Sequence, residues 1–125
     1  MKLVDTTVAI DHLRGEARAV ELLTRLVQEE DAVAASEVVR FELLAGVRDD
    51  ELDALEHFCS ALRWVAVDES IARTAGSLAR KYRAAYGGID DVDYLVAATA
   101  LLLDAELVTS NVGHFPMLAD VRAAY

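Results

Sequence analysis

Cysteine, lysine and long apolar runs are all scarce in this 125-residue chain. The one cysteine, Cys59, cannot form an internal disulfide, so we expect an ordinary, partly buried thiol in a reducing compartment such as the cytoplasm. The longest apolar stretch, residues 95–103, is far shorter than the roughly 20 residues that cross a bilayer. A short strand pattern follows Lys2 directly, so no signal segment is expected. These absences exclude a disulfide-rich scaffold and a membrane span, and they predict a soluble cytoplasmic protein.

Positive charge is also scarce, since 12 Lys and Arg residues face 22 Asp and Glu residues, for a formal net charge of -10. Domains that bind nucleic acid through their overall field usually carry a basic face, so any such role must be local here. The candidate phosphate contacts are Arg40, Arg48 and a group formed by Arg80, Lys81 and Arg83, although such a group is more often a solvated helix face. Two of the three histidines, His12 and His57, are expected to be solvated helix residues.

The hydrophobic periodicity predicts one α/β domain over residues 1–125, with a central, mostly parallel, twisted sheet of four to five short strands flanked by helices. Ser36 and Asp68 are plausible helix N-caps, and Pro116 is expected to open a final short helix. Strands are predicted at residues 2–5, 31–35, 64–67 and 106–109. Helices are predicted at residues 7–13, 16–29, 36–47, 50–61, 68–86 and 92–103.

Four polar residues stand where the pattern calls for apolar ones: Asp5, Glu42, Asp93 and Asn111. Burying an isolated charge is costly, so such residues must be paired, hydrogen-bonded or coordinated. Asp5 and Asn111 follow predicted strands, and Asp93 begins a predicted helix, so all three belong to the sheet edge where α/β proteins bind ligands. Glu42 lies on the apolar face of its helix. The four residues are therefore predicted to share one site.

Each of these residues also has a structural explanation. Asp5 and Asp93 could cap helices, with Asp90 and Asp91 competing for the second cap. Asn111 could be a turn residue, and Glu42 could pair with an arginine.

If the residues do share a site, their ligand atoms are all oxygens, which favour Mg²⁺ or Mn²⁺ over zinc. The chemistry suited to that ion is phosphodiester hydrolysis. Carboxylates crowded together without the ion should show at least one raised pKa, through burial and like-charge repulsion.

The motifs VDTTVAIDHLRGE, SEVVRFELLAGV, DVDYLVAATALLLDAELVTSN and the closing HF, in this order, resemble those of PIN-domain proteins, particularly VapC-type toxins of toxin–antitoxin pairs. The resemblance covers nearly the whole chain. It implies a Mg²⁺- or Mn²⁺-dependent endoribonuclease, often a homodimer, inhibited by a cognate antitoxin that covers the active site.

The resemblance also implies site residues. Asp5, Glu42 and Asp93 would hold the metal, with Asp91 as a possible supporting ligand. Asn111 stands where many relatives carry Asp, so it would take part as a neutral ligand or phosphate-orienting amide, which makes one metal the safer expectation. The residues expected near substrate are Thr6, Thr7, Asn111, His114, Arg80 and Lys81.

Other functions remain open at this stage. An aspartyl-phosphate phosphatase is suggested by Asp5, but such enzymes need an acid two residues later, where this chain has Thr7. A receiver-like signalling domain would need a lysine after the last strand, which is absent from Thr109–Asn111. A PIN-like protein used only for binding is the main alternative. The RNA sequence that would be cut is not predicted.

Overall fold

Four short parallel strands form the central sheet in the computed structural model, which describes residues 1–29 and 32–125. The strands are β1 (Lys2–Val4), β2 (Val33–Ser36), β3 (Arg63–Val65) and β4 (Glu106–Val108). Their order across the sheet is β3-β2-β1-β4, and Leu3 of β1 pairs with Ala34 on one side and Leu107 on the other. The earliest strand therefore lies beside the latest one, which brings the two ends of the sequence together.

Six α-helices surround this sheet in the described residues, and two of them begin where a strand ends. Asp5 follows β1 directly, Ser36 is the last residue of β2, and each accepts a hydrogen bond from a first-turn N–H group of the next helix. Asp68 and Asp90 cap two further helices in the same way. The helices are α1 (Thr6–Leu13), α2 (Ala17–Glu29), α3 (Glu37–Gly46), α4 (Leu52–Cys59), α5 (Glu69–Tyr82) and α6 (Asp91–Leu103), with 3₁₀ turns at Asp49–Glu51 and Val112–His114.

Helix α6 is the most buried helix of the domain, because its residues 93–94 and 96–100 are all buried. It packs against α5 and α3. Its apolar sequence reflects contact on several sides, as expected for a core helix. Asp104 ends α6 with a φ of 50°, a left-handed conformation that disfavours most side chains.

The C-terminal segment is attached to the sheet beside β4. Thr109 forms an isolated parallel bridge with Ala123, and the Ala124 N–H donates to the Thr109 carbonyl at 2.8 Å. The Tyr125 hydroxyl donates to Asp11 of α1. This segment therefore links the loop after β4 to the first helix.

The predicted α/β fold with a parallel sheet is confirmed, with four strands in the described part of the chain. Residue 31 of the second predicted strand lies outside the described residues. Helix α5 ends at Tyr82 rather than at residue 86, because residues 83–88 are all exposed and bury no apolar side chain.

Three smaller expectations were wrong. Pro116 opens no helix: residues 116–120 form turns, and Asp120 has a φ of 61°, which a helix cannot accommodate. His12 is not a solvated residue, because its ring stacks on Phe58 and its Nδ1 atom is buried. Cys59 is more deeply buried than expected, with 4% of its surface exposed.

Candidate active site

Asp5 is held in one orientation at the carboxyl end of β1. Its Oδ1 atom accepts from the Thr6 N–H at 2.8 Å, and its Oδ2 atom accepts from the Thr109 hydroxyl at 2.7 Å and the Thr7 hydroxyl at 3.3 Å. Only 4% of the residue is exposed. Asp5 is thus both the N-cap of α1 and a buried acid at the sheet edge, so the two predicted roles are compatible.

Glu42 reaches the same edge from α3. The Thr6 hydroxyl donates to Glu42 Oε1 at 2.5 Å, so Thr6 connects Glu42 with Asp5 through its side chain and its N–H. Among the described residues Glu42 forms no salt bridge, so an arginine partner does not explain its position there. Arg14 and Glu42 do line a common cavity of about 170 Å³.

Asp93 is the third acid and lies in the first turn of α6, 9% exposed. Its Oδ2 atom lies 2.9 Å from His114 Nδ1 and accepts from the Asp90 N–H at 3.3 Å. Asp90 in turn accepts from the Asp93 N–H at 3.0 Å, completing a capping box. His114, in the 3₁₀ turn after β4, is therefore the side chain that contacts the Asp93 carboxylate.

The pKa values of all three acids are raised, as predicted for crowded carboxylates. Burial raises the pKa of Asp5, although the Thr109 hydrogen bond opposes the change. Burial also raises the pKa of Glu42, and the charges of Asp90 and Asp5 add to the effect. Burial, with contributions from Asp90 and Asp5, raises the pKa of Asp93 from 3.8 to about 6. The charges of Asp5 and Asp90 therefore reach both Glu42 and Asp93.

These side chains fit a hard divalent cation by their chemistry. Their donors are carboxylate oxygens, and burial is the largest cause of their raised pKa values, so a bound cation would offset the cost of ionising them. Within residues 1–29 and 32–125, no three His, Cys, Asp or Glu side chains form a ready-made metal cage. Mg²⁺ does not require one, since it keeps several waters and binds through one or two carboxylates plus substrate phosphates.

Comparison with known proteins identifies the domain. The family model described as "PIN domain" matches residues 2–119 of the chain. The chain belongs to the PIN-domain family. It is 60% identical to Ribonuclease VapC19 of Mycobacterium tuberculosis over 125 residues, covering 100% of both chains. It is 38% identical to Ribonuclease VapC10 of the same species, covering 100% of this chain and 93% of that relative.

Solved structures share the PIN fold. A toxin–antitoxin complex from Klebsiella pneumoniae matches with a TM-score of 0.84 at 23% identity, covering 100% of this chain and 98% of that one. FitAcB from Neisseria gonorrhoeae matches with a TM-score of 0.76 at 26% identity, covering 100% and 97%. The resemblance inferred from the sequence motifs is thereby confirmed.

Most of the predicted site residues of this PIN domain do come together. Thr6, Thr7 and His114 contact Asp5, Glu42 or Asp93 directly. Asn111 lies in the loop after β4 that also carries His114, and its N–H donates to the Thr109 hydroxyl at 2.9 Å. It directly precedes the 3₁₀ turn Val112–His114, so it is also a turn residue.

Three predicted residues lie apart from this cluster. Asp91, suggested as a supporting metal ligand, points outwards and pairs with Arg83, with 85% of its side chain exposed. Each residue of a helix turns the side chain by about 100°, so Asp91 and Asp93, two residues apart, point about 200° apart and cannot both face the site directly. Arg80 and Lys81 are exposed on α5 and make no contact with the three acids.

Two residues near the site were missing from the predicted set. Thr109 is fully buried and fixes Asp5, and Asp90 influences both Glu42 and Asp93. Thr109 had a visible signal, since it follows the apolar strand Glu106–Val108 just as Asp5 follows β1. Asp90 had none beyond its place among three neighbouring aspartates.

Among the residues that the structure describes, no helix is long and apolar enough to span a membrane.

Proposed function

We propose that this PIN domain is a metal-dependent endoribonuclease, the toxin of a type II toxin–antitoxin pair, acting in the cytoplasm. The observation that carries the proposal is the meeting of Asp5, Glu42 and Asp93 at one sheet edge, each with a raised pKa. The 60% identity to a protein named as a ribonuclease supports the reaction class. Mg²⁺ or Mn²⁺ is the proposed cofactor, with these three acids as its ligands.

A bound divalent ion would supply charge neutralisation and a more acidic water, the two requirements of phosphodiester hydrolysis. The protein's own groups prepare the site. Thr6, Thr7 and Thr109 hold both oxygens of Asp5, so the carboxylate cannot rotate away. His114 Nδ1 holds Asp93 Oδ2 and, when protonated, balances part of the local negative charge. Asn111 is proposed to orient a substrate phosphate through its uncharged amide.

The proposed protein partners are a cognate antitoxin and a second copy of the chain. The similar structures include a toxin–antitoxin complex, and a cavity of about 170 Å³ beside Glu42 offers apolar side chains and Arg14 to a partner segment. Phe41 and Leu44 of α3 are exposed nearby, 64% and 39% respectively. A peptide seated there would lie directly beside Glu42 and could block access to it.

The test is cleavage of structured RNA by the purified protein with Mg²⁺ or Mn²⁺. Asp5→Asn and Asp93→Asn should abolish cleavage and leave the circular dichroism spectrum unchanged. Asp53→Asn, at an exposed position in α4, is the matched control and should cut normally. If Asp5→Asn cut RNA as well as the parent, the assigned roles would be wrong. If the parent bound RNA without cutting it, the binding-only alternative would replace the nuclease.

A further inference from the structure

A groove of about 650 Å³ runs between α5 and α6. It lies outside the acidic cluster, which consists of Asp5, Glu42 and Asp93. Small side chains form one wall and leave room for a ligand. Arg80 from α5, Arg83 just after α5 and Asp91 from α6 supply its charged groups, and Tyr94 of α6 also lines it. We call this feature the α5–α6 groove; the small residues of its wall are Ala72, Ala75, Gly76, Ala79 and Ala84.

The groove carries a local positive charge on an acidic protein. Arg80 and Arg83 are three residues apart and line the same groove. Within residues 1–29 and 32–125, Arg80 forms no salt bridge, whereas Arg83 Nη2 lies 2.5 Å from Asp91 Oδ1. The Arg83 guanidinium also lies over the Tyr94 ring, 5.7 Å from its centroid. Both arginines are therefore available to an anion, one of them through exchange of its partner.

The Arg83–Asp91 pair is weak enough to exchange. Its side chains are 60% and 85% exposed, and exposed pairs of this kind contribute little to stability because water and salt screen them. A backbone phosphate offers the same kind of acceptor oxygens and the same single negative charge as Asp91, and arginine binds it in a bidentate manner. Asp91 therefore occupies the place on Arg83 that a phosphate would take, and its own ion pair with Arg83 is weak.

The groove is also placed next to the acidic cluster. Asp91 and Asp93 both lie in the first turn of α6, one facing Arg83 and the other facing His114. Because these two side chains point to different sides of α6, a strand whose scissile bond lies at Asp93 would curve around the N-terminus of this helix to reach the Asp91 end of the groove. Tyr94, 1% exposed, lines the groove, and its hydroxyl has no hydrogen-bond partner in the described residues.

We propose that the α5–α6 groove binds the phosphate backbone of the RNA strand next to the scissile bond, with Arg83 and Arg80 as phosphate ligands and Asp91 as an internal competitor. This inference rests on the proposed ribonuclease function and names a substrate subsite for it. Asp91 then limits RNA binding in the free protein, and an arriving phosphate displaces it from Arg83.

Binding of a fluorescently labelled, single-stranded RNA oligonucleotide in EDTA tests this without requiring cleavage. Arg83→Gln should weaken binding roughly two- to fivefold and lower the slope of log K against log salt by about 0.7, the value for one phosphate contact. Asp91→Asn should tighten binding by a similar factor, because it frees Arg83.

The matched controls are two residues of α5, Glu69 and Arg73. Arg73 pairs with Glu69 on the exposed face of α5, and neither residue lines the groove. Glu69→Gln changes net charge as Asp91→Asn does and also frees an arginine, and Arg73→Gln parallels Arg83→Gln. Both controls should change binding less than the groove variants do.

Three results would overturn the inference. In the first, Asp91→Asn and Glu69→Gln tighten binding equally, which would reduce the effect to net charge. In the second, Asp91→Asn weakens Mg²⁺ binding and leaves RNA binding unchanged, which would make Asp91 a metal ligand. In the third, Arg83→Gln alters sedimentation but not RNA binding, which would make the groove a contact between copies. If the protein binds RNA as described but never cuts it, the ribonuclease proposal fails and the groove assignment stands.

Discussion

Replacing Asp93 by asparagine should make the metal-free protein more stable at neutral pH. The pKa of Asp93 is raised from 3.8 to about 6 by burial and by neighbouring acids. The folded state therefore holds this proton more tightly than the unfolded state does. The stability that protonated Asp93 contributes to the folded state is fully present below about pH 4 and is lost as the pH rises through about 6. A pKa difference of this size corresponds to about 3 kcal/mol.

Asparagine removes the charge and keeps one carbonyl oxygen, which can still accept the hydrogen bond that the Asp90 N–H donates to Asp93. The pKa of about 6 already includes the favourable effect of His114, so we expect a net gain of about 2 to 3 kcal/mol near pH 7.5. For a domain of this size that gain raises the melting temperature by roughly 5 to 10 °C. The site thus trades stability for function, because the same carboxylate is proposed to hold the metal.

Urea unfolding followed by circular dichroism in EDTA, at about pH 4.5 and about pH 7.5, measures the effect. The parent should lose stability between the two pH values, and Asp93→Asn should lose less. Added Mg²⁺ should stabilise the parent more than the variant. Asp53→Asn, at an exposed site, should behave as the parent. A variant less stable than the parent at pH 7.5, with an unchanged pH dependence, would refute the reasoning.

Three further predictions concern single substitutions. Thr109→Val removes the 2.7 Å hydrogen bond to Asp5, so the pKa of Asp5 should rise further in an NMR titration. RNA cleavage should fall about tenfold, which corresponds to about 1.4 kcal/mol for the lost hydrogen bond. An unchanged pKa of Asp5 would contradict this. Leu55→Ala empties a fully buried position and should lower the free energy of unfolding by about 2 to 5 kcal/mol in urea, whereas a loss under 1 kcal/mol would show that the cavity collapses. Asp104→Gly relieves a φ of 50° and should raise the free energy of unfolding by up to about 1 kcal/mol; a decrease would mean that the aspartate side chain stabilises this turn.

The sequence predicted the sheet edge well because its signals there are local. Asp5 and Asp93 interrupt apolar runs, and the burial of those runs depends only on their composition and period. The same logic predicted the strands and most helices, and the confirmed family resemblance supported it.

The remaining details depend on packing that no local pattern contains. Asp90, Asp91 and Asp93 are indistinguishable by composition, and the rotation of α6 against α5 decides that one caps, one faces Arg83 and one faces His114. Pro116 carries a helix-start signal that the positive φ of Asp120 overrides. His12 looked solvated because the sequence did not show that Phe58 would stack on it.

The pairing of β1 with both β2 and β4 has a consequence for how the protein acquires its activity during synthesis. Asp5 and Glu42 are made early, whereas Asp93, Thr109 and His114 are made late, and β4 must join β1 across about 100 residues of intervening chain. Pairing over such a separation is slow, because the chain must close a long loop before it gains the contacts. A partly synthesised chain therefore carries only two of the three acids of the site, and the complete site forms among the last steps of folding.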